Sequence, residues 1–113
     1  MSQITTHVLD VSIGKPAAGV SVVLEAEKPG GQWKELRRGA TDTDGRLKDL
    51  LASGSLAAGT YRLAFDTRAY FAARKIQSFY PQITIVFEVR NANEHHHVPL
   101  LLSPYGYSTY RGS

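Results

Sequence analysis

Histidines and an arginine stand at positions from which a folded chain could bring them together. His7 lies in an early strand-like run, a histidine cluster at residues 95–97 opens a late one, and Arg46 follows the Asp-Gly turn at residues 44–45. A histidine with a pKa near neutrality can deprotonate water, and a second can orient that water or protonate a leaving nitrogen. An arginine can stabilise negative charge on the attacked carbonyl. These residue types indicate metal-free hydrolysis by direct attack of water.

The chain ends on Tyr-Arg-Gly-Ser at residues 110–113, directly after a strand-like run. Chain ends fray unless something holds them, so an ending this specific predicts part of a site. Ser113 and His97 could form a nucleophile and its base. A terminal serine lacks an evident oxyanion loop, so water attack is favoured over that pair. Tyr110 shares its strand face with Ser108, and we expect its ring to form a wall of the site if pairing brings that face beside His97.

Each candidate also has an ordinary alternative. His7 could be a sheet histidine bonded to a neighbour, and His96, which shares the face of Val98, is expected to be structural. His95 and His97, at i and i+2, could be ligands of zinc or non-haem iron, but no further ligand has suggestive spacing. We therefore expect no metal and no cofactor. The alternatives for the other candidates are a solvated charge for Arg46, aromatic packing for Tyr110 and a disordered end for Ser113.

Length and composition limit the class of protein. The 113 residues, 42% of them hydrophobic, predict one domain over residues 1–113 whose incomplete burial favours oligomerisation. The net charge of +3 is scattered along the chain, which disfavours nucleic-acid binding but suits a small anionic substrate. Cysteine is absent, which excludes disulfides, a thiol nucleophile and a thiolate metal site.

Targeting signals are missing from the printed sequence. The first residues, 1–5, contain neither a basic segment nor an apolar one, and no run approaches the ~18 apolar residues of a membrane span. We expect a cytoplasmic protein with no membrane contact, although an export signal removed beforehand would leave the same sequence.

Short alternating runs rich in Val, Ile, Thr and aromatic residues predict a mainly β chain. One segment, residues 66–75, predicts a short helix with Asp66 as its N-cap and basic residues in its last turn. Many short strands with one helix indicate a two-sheet β-sandwich. The predicted strands are 5–11, 20–27, 33–41, 46–48, 60–65, 84–89, 95–102 and 107–110, and the breakers between them are 14–16, 28–31, 44–45, 91–93 and 103–106.

The strand predicted at residues 95–102 is apolar on both faces. Val98, Leu100 and Leu102 share one face with His96, whereas Leu101 and a proline share the other with His97. A sandwich strand needs only one apolar face for its own core. We therefore expect the face of His97 to be covered by another subunit, which would place the site at an interface.

Taken together, the motifs resemble the transthyretin-related 5-hydroxyisourate hydrolase family over essentially the whole chain. The motifs are Thr-Thr-His-Val-Leu-Asp at 5–10, Gly-Lys-Pro-Ala-Ala-Gly at 14–19, Thr-Asp-Thr-Asp-Gly-Arg at 41–46, His-His-His-Val-Pro-Leu-Leu-Leu-Ser-Pro at 95–104 and Tyr-Arg-Gly-Ser at 110–113. His96 stands where many relatives have an aromatic residue, and Val11 replaces a common threonine. Both departures concern local packing.

The resemblance implies a fold, an assembly and a reaction. The fold is a transthyretin-like (prealbumin-like) two-sheet β-sandwich with one short helix, assembled as a homotetramer whose central channel carries the active sites. The reaction is hydrolytic opening of the ring amide of 5-hydroxyisourate, giving 2-oxo-4-hydroxy-4-carboxy-5-ureidoimidazoline in urate degradation. The implied catalytic residues are His7, Arg46, His97 and Ser113, and the implied substrate-binding residues are His7, Arg46, Tyr110, Arg111 and Gly112.

Two other functions stay open at this stage. One is a transthyretin-like carrier that binds a hydrophobic ligand in the channel, since fold does not decide function. Its channel would have no use for a general base, so His7, Arg46, His97 and Tyr110 favour the hydrolase. The other is a structural sandwich module of a larger surface protein, which predicts attached domains.

Overall fold

The computed structural model describes residues 3–51 and 54–113 of the chain. Met1 and Ser2, which enter the expectation about targeting signals, lie outside the described residues. Strands dominate the described part, and one helix interrupts them. The elements are β1 (Ile4–Asp10), β2 (Lys15–Pro16), β3 (Ser21–Lys28), β4 (Gln32–Ala40), β5 (Arg46–Leu47), β6 (Gly59–Phe65), α1 (Thr67–Ala73), β7 (Ile83–Val89), β8 (His96–Ser103) and β9 (Gly106–Thr109).

The strands form two sheets. The first has the order β2-β1-β8-β9, and β5 pairs with β1 on the edge that β2 also uses. The second has the order β4-β3-β6-β7. Among the described strands, every pairing is antiparallel except that of β1 with β8, which is parallel and joins segments about ninety residues apart. This long-range pair forms the centre of the first sheet.

The core lies between the two sheets and follows the alternation of each strand. In β3, for example, Val22, Leu24 and Ala26 are buried while the residues between them are not. Alternation of this kind turns one face of each sheet toward the partner sheet. The largest fully buried side chains are Phe65, Phe71, Ile4, Leu24, Leu50, Leu63, Ile83, Leu100 and Leu102.

The helix packs against the end of β1. The Asp66 carboxylate caps it by accepting from the Ala69 N–H at 3.2 Å. Tyr70 and Phe71 are buried, and the Tyr70 hydroxyl donates to Asp10 Oδ2 at 2.9 Å. Burial and the Asp10 carboxylate raise the pKa of Tyr70 to about 12. The helix therefore anchors the carboxyl end of β1 through a neutral hydroxyl.

The predicted mainly β, two-sheet fold with one short helix is confirmed, with differences at the ends of elements. The helix ends at Ala73, so Arg74 is its C-cap and the prediction of basic residues in the last turn is wrong. Residues 15 and 16, predicted to be part of a breaker, form β2. Gly14, with φ of 65°, turns the chain back so that this short strand pairs with Leu9 and Asp10. Within the described residues, no helix is long and apolar enough to cross a membrane.

Candidate active site

Three strands of the first sheet place the predicted residues on its outer face. In β1, His7 pairs with Arg46 of β5 on one side and with Pro99 of β8 on the other. Two residues earlier, Thr5 pairs with His97. Because alternate residues share a face and paired residues point the same way, these side chains all turn away from the core.

A tight turn delivers Arg46 to this face. The Asp42 carboxylate accepts from the backbone N–H groups of Asp44 at 2.9 Å and Arg46 at 3.0 Å. These bonds, that of Arg46 first, lower the pKa of Asp42 below its ordinary value. Gly45 has φ of 75°, and its backbone lies so close to the Val8 carbonyl that a Cβ would collide with it. Glycine is therefore required at this turn, which explains the Asp-Gly signal in the sequence.

A cavity of about 460 Å³ opens on the outer face. It is lined by Thr5, Thr6, Arg46, Lys48, His95, His97 and Ser113. A larger groove of about 620 Å³ lies on the other sheet beside α1, with Arg38 and Arg68 in its wall. That groove contains no histidine, and its one carboxylate, Asp66, caps the helix. The smaller cavity is therefore the candidate active site, because it alone of these two combines cations with a base.

His97 is held by a neighbouring hydroxyl and is biased toward its neutral form. Its Nδ1 lies 2.8 Å from Thr5 Oγ1, and the same oxygen lies 2.9 Å from His95 Nε2. Burial, followed by electrostatic repulsion from His95, Arg46 and His7, lowers the pKa of His97 from its ordinary value of 6.5. A neutral imidazole at neutral pH can accept a proton, as a general base must.

His7 is oriented by the backbone of the same turn that carries Arg46. Its Nε2 lies 2.9 Å from the Asp44 carbonyl oxygen. A carbonyl only accepts hydrogen bonds, so Nε2 carries the hydrogen and donates. In neutral His7 the lone pair is then on Nδ1. His7 does not line the cavity of about 460 Å³ itself but stands between two residues, Arg46 and Pro99, of the neighbouring strands.

The terminal segment runs alongside β8. The Gly112 N–H donates to the His97 carbonyl at 2.9 Å, and a Cβ on Gly112 would lie 2.6 Å from His97 Cδ2. Only glycine allows the backbone to approach the imidazole so closely. Ser113 consequently reaches the cavity wall.

The other two terminal residues point elsewhere. Arg111 donates to Glu94 Oε1 at 3.2 Å and to the His95 carbonyl at 3.4 Å, so its guanidinium holds the turn before β8. Tyr110 is 59% exposed and lines a separate groove of about 290 Å³ that it shares with His97. Neither residue lines the cavity with Arg46 and Ser113.

The three consecutive histidines have three different surroundings. His96 is 5% exposed on the core face, as expected of a structural residue. Burial, then the charge of Arg111, lowers the pKa of His96, and its Nδ1 lacks a hydrogen-bond partner within the described residues. His95 is exposed and its ring is nearly parallel to that of His97, 17° apart. Among residues 3–51 and 54–113, no group of three or more His, Cys, Asp or Glu side chains is arranged to hold a metal ion.

Sequence reasoning missed Thr5 and Lys48 and gave His95 no role other than a metal ligand. Lys48 lies two residues after Arg46 in the strand predicted at 46–48, and residues two apart in a strand share a face, so this spacing could have indicated it. Thr5 could not be found in this way, because its place beside His97 depends on the parallel register of two distant strands.

The chain is similar in sequence and in fold to several known proteins. A protein called 5-hydroxyisourate hydrolase from Salmonella dublin is 52% identical over 110 residues, which cover 97% of this chain and 80% of that protein. The solved 5-hydroxyisourate hydrolase of Klebsiella pneumoniae superposes with a TM-score of 0.83 at 37% identity, covering 97% of this chain and 98% of that one. Sea bream transthyretin, solved in complex with thyroxine, superposes with a TM-score of 0.93 at 29% identity, covering 98% and 95%.

The family model described as the HIUase/Transthyretin family matches residues 4–112, which include both sheets and the outer-face cluster of His7, Arg46 and His97. The chain belongs to the HIUase/Transthyretin family.

Proposed function

We propose that this protein hydrolyses 5-hydroxyisourate to 2-oxo-4-hydroxy-4-carboxy-5-ureidoimidazoline, a step of urate degradation. The observation that carries the proposal is the cavity in which His97, with its lowered pKa, stands beside Arg46. A base and a planar cation in one cavity suit attack of water on a polar ring amide. The names of relatives that are 43–52% identical over nearly the whole chain support the same activity.

In the proposed reaction, water gives a proton to Nε2 of His97 while its oxygen bonds to the ring amide carbonyl. The negative charge that develops on the carbonyl oxygen is stabilised by Arg46, with Lys48 as a second cation in the same cavity. The carbon–nitrogen bond of the ring then breaks, and the proton returns from His97 to the leaving nitrogen. His7 and Ser113 complete the proposed catalytic set by orienting the water and the substrate.

The proposal includes a homotetramer with its sites in a channel at the subunit interface. Each sheet ends in strands that pair on one side only within the described residues, among them β7, which pairs with β6, and β9, which pairs with β8. Large apolar side chains are exposed beside them and at the ends of the first sheet: Phe79, Tyr105, Tyr107, Val86 and Tyr110. Isolated monomers rarely leave so many aromatic side chains in water, so these residues support burial against further copies. Tyr110, Arg111 and Gly112 are proposed to reach substrate, or to shape its site, in that assembly.

The carrier alternative receives less support. Transthyretin of sea bream resembles the fold at least as closely as the Klebsiella hydrolase does, but its sequence identity is lower, 29% against 37%. Fold similarity therefore does not separate the two functions. The side chains of the site favour the hydrolase. An apolar hormone would have to desolvate two imidazoles and a guanidinium without forming hydrogen bonds to them in return.

The test is to add the purified protein to freshly generated 5-hydroxyisourate and to follow its ultraviolet decay, with and without exhaustive chelation. We expect accelerated decay that chelation leaves unchanged. An unaccelerated decay would remove the proposal, and a loss on chelation that zinc or iron restores would make the histidines metal ligands. Thyroxine binding by a catalytically inert protein would support the carrier instead.

A further inference from the structure

Thr5 occupies the point where two imidazoles converge on one hydroxyl. Its side chain is 9% exposed, and its oxygen is within hydrogen-bond distance of His97 Nδ1 at 2.8 Å and His95 Nε2 at 2.9 Å. The imidazole centroids are 6.3 Å apart, and the hydroxyl lies within reach of one nitrogen of each ring. The three groups form a continuous hydrogen-bonded chain, His97–Thr5–His95.

A hydroxyl has one proton and two lone pairs, which restricts how this chain can be arranged. If Thr5 donates to His95 Nε2, it can accept only from Nδ1–H of His97. His97 then holds its hydrogen on Nδ1, and Nε2 is left as the base. If Thr5 donates to His97 instead, the hydrogen of neutral His97 moves to Nε2, which is then no longer a base. The direction of one O–H bond therefore decides whether His97 can accept a proton from water.

His95 favours the productive direction when it is neutral and carries its hydrogen on Nδ1, because the other tautomer would itself donate from Nε2 to Thr5. Neutral His95 can present a lone pair on Nε2, and the Thr5 proton then points toward it. After His97 takes a proton from water, its Nδ1–H still donates to Thr5, so the imidazolium has an acceptor and no proton has to pass along the chain. Arg111 contributes from outside by donating to the His95 carbonyl at 3.4 Å, which fixes the backbone at that end.

We propose that Thr5 is a positioning residue that, together with His95, fixes His97 in the tautomer whose Nε2 is free to act as the base. This inference rests on the proposed hydrolase function for its kinetic consequence. The tautomer itself is a property of the folded protein and can be measured without substrate. The groups that face His97 from neighbouring strands and the terminal segment are His7, Arg46, Lys48, His95 and Ser113.

The main comparison is between Thr5→Val, which removes the hydroxyl at nearly constant shape, and Thr5→Ser, which keeps it. Thr5→Val should lower kcat by roughly 10- to 100-fold, the usual scale for losing a group that orients a functional histidine, and leave KM nearly unchanged. It should also move the acidic limb of the pH profile to lower pH, because the imidazolium loses its acceptor. Thr5→Ser should stay close to wild type in both respects.

The independent readout is NMR of isotope-labelled imidazole nitrogens in the whole protein. Wild type and Thr5→Ser should show His97 with its hydrogen on Nδ1, and Thr5→Val should lose that preference. Thr109→Val is the matched control, because the Thr109 hydroxyl donates to the Pro99 carbonyl at 2.7 Å rather than to a histidine. It should change neither kcat nor the tautomer.

If Thr5→Val does not fold, exposed His95 offers a second route. His95→Gln keeps an acceptor for the Thr5 proton, whereas His95→Phe removes it, so only the second should change the His97 tautomer and lower kcat. The inference would be overturned if Thr5→Val left both the His97 tautomer and kcat unchanged. If Thr5→Val does not fold, the same result in His95→Phe would overturn it. A folded Thr5→Ser that behaves like Thr5→Val would also overturn it. Failure of the hydrolase proposal would look different from failure of this inference. The wild-type protein would then be inactive on 5-hydroxyisourate, but NMR would still show the His97 hydrogen on Nδ1.

Discussion

Each residue of the outer-face cluster is controlled by a different neighbour. Thr5 holds His97 through Nδ1, the Asp44 carbonyl holds His7 through Nε2, and the Asp-Gly turn presents Arg46. A side chain held by one directed bond is pre-organised for chemistry and needs little rearrangement when substrate binds. The two imidazoles therefore have the fixed geometry that proton transfer requires, and the turn fixes the backbone from which the Arg46 side chain extends.

Arg46 should not be replaceable by lysine. The guanidinium is planar and can donate two parallel hydrogen bonds to one oxygen or to adjacent oxygens. The lysine ammonium lacks this fixed planar arrangement of donors. We expect Arg46→Lys to lower kcat/KM by on the order of 10²-fold, the scale of losing one donor to a developing oxyanion. Steady-state decay of 5-hydroxyisourate measures it, with circular dichroism to check folding. A lysine variant within a few-fold of wild type would mean that charge alone suffices.

The lowered pKa of His97 sets the acidic limb of the pH profile. Protonation disables the base, so kcat/KM should fall only below the ordinary histidine value of 6.5. The stability of the fold should change with pH in the same direction as kcat/KM. Between the folded pKa and 6.5 the unfolded chain binds more protons, so the free energy of unfolding decreases as pH falls through this window. The pH dependence of kcat/KM and denaturant titrations across this pH window measure the two effects. An acidic limb of kcat/KM at or above pH 6.5 would contradict the expected effect on the rate.

At the scale of elements, the site depends on strand pairings, and only some of these strands and pairings can be predicted from the sequence. Strands with a clear apolar alternation, such as β3, β6 and β7, were predictable from residue type to within a residue or two at each end. Residues 15–16 were not, because a two-residue strand carries no period and pairs through the backbone after Gly14. The neighbourhood of Thr5 was hidden for another reason: it depends on a parallel register between strands about ninety residues apart.

The terminal segment should act on His97 through Gly112. A methyl group there would lie 2.6 Å from His97 Cδ2 and 3.2 Å from Pro99 Cγ, so Gly112→Ala must displace the imidazole or the segment. Displacing a catalytic group by about 1 Å can lower a rate about 10²-fold, and we expect a loss approaching that in kcat with the fold intact. The control is Gly106→Ala, whose Cβ would meet nothing closer than Ser103 Oγ at 3.7 Å. Equal activity of the two variants would show that the contact with His97 has no catalytic consequence.

At the scale of the whole molecule, the outer face of the first sheet is the surface that the proposed tetramer buries. Leu101 lies on that face, half-buried, between Leu9 of β1 and Ser108 of β9. Leu101→Glu would place an unpaired charge in the interface, and we expect light scattering to show dissociation of the tetramer with loss of activity. Ala73→Glu, on the exposed end of the helix, should leave the assembly intact. A fully active monomer in either protein would refute a site that needs the channel.

The central claim is that His97 is the base of a hydrolase, and one substitution tests it most directly. His97→Asn keeps a polar side chain of similar reach but cannot accept a proton at neutral pH. Measured by ultraviolet decay of 5-hydroxyisourate, the folded variant should be slower than wild type by on the order of 10²-fold or more. A folded His97→Asn protein that hydrolyses 5-hydroxyisourate at nearly the wild-type rate would contradict the account.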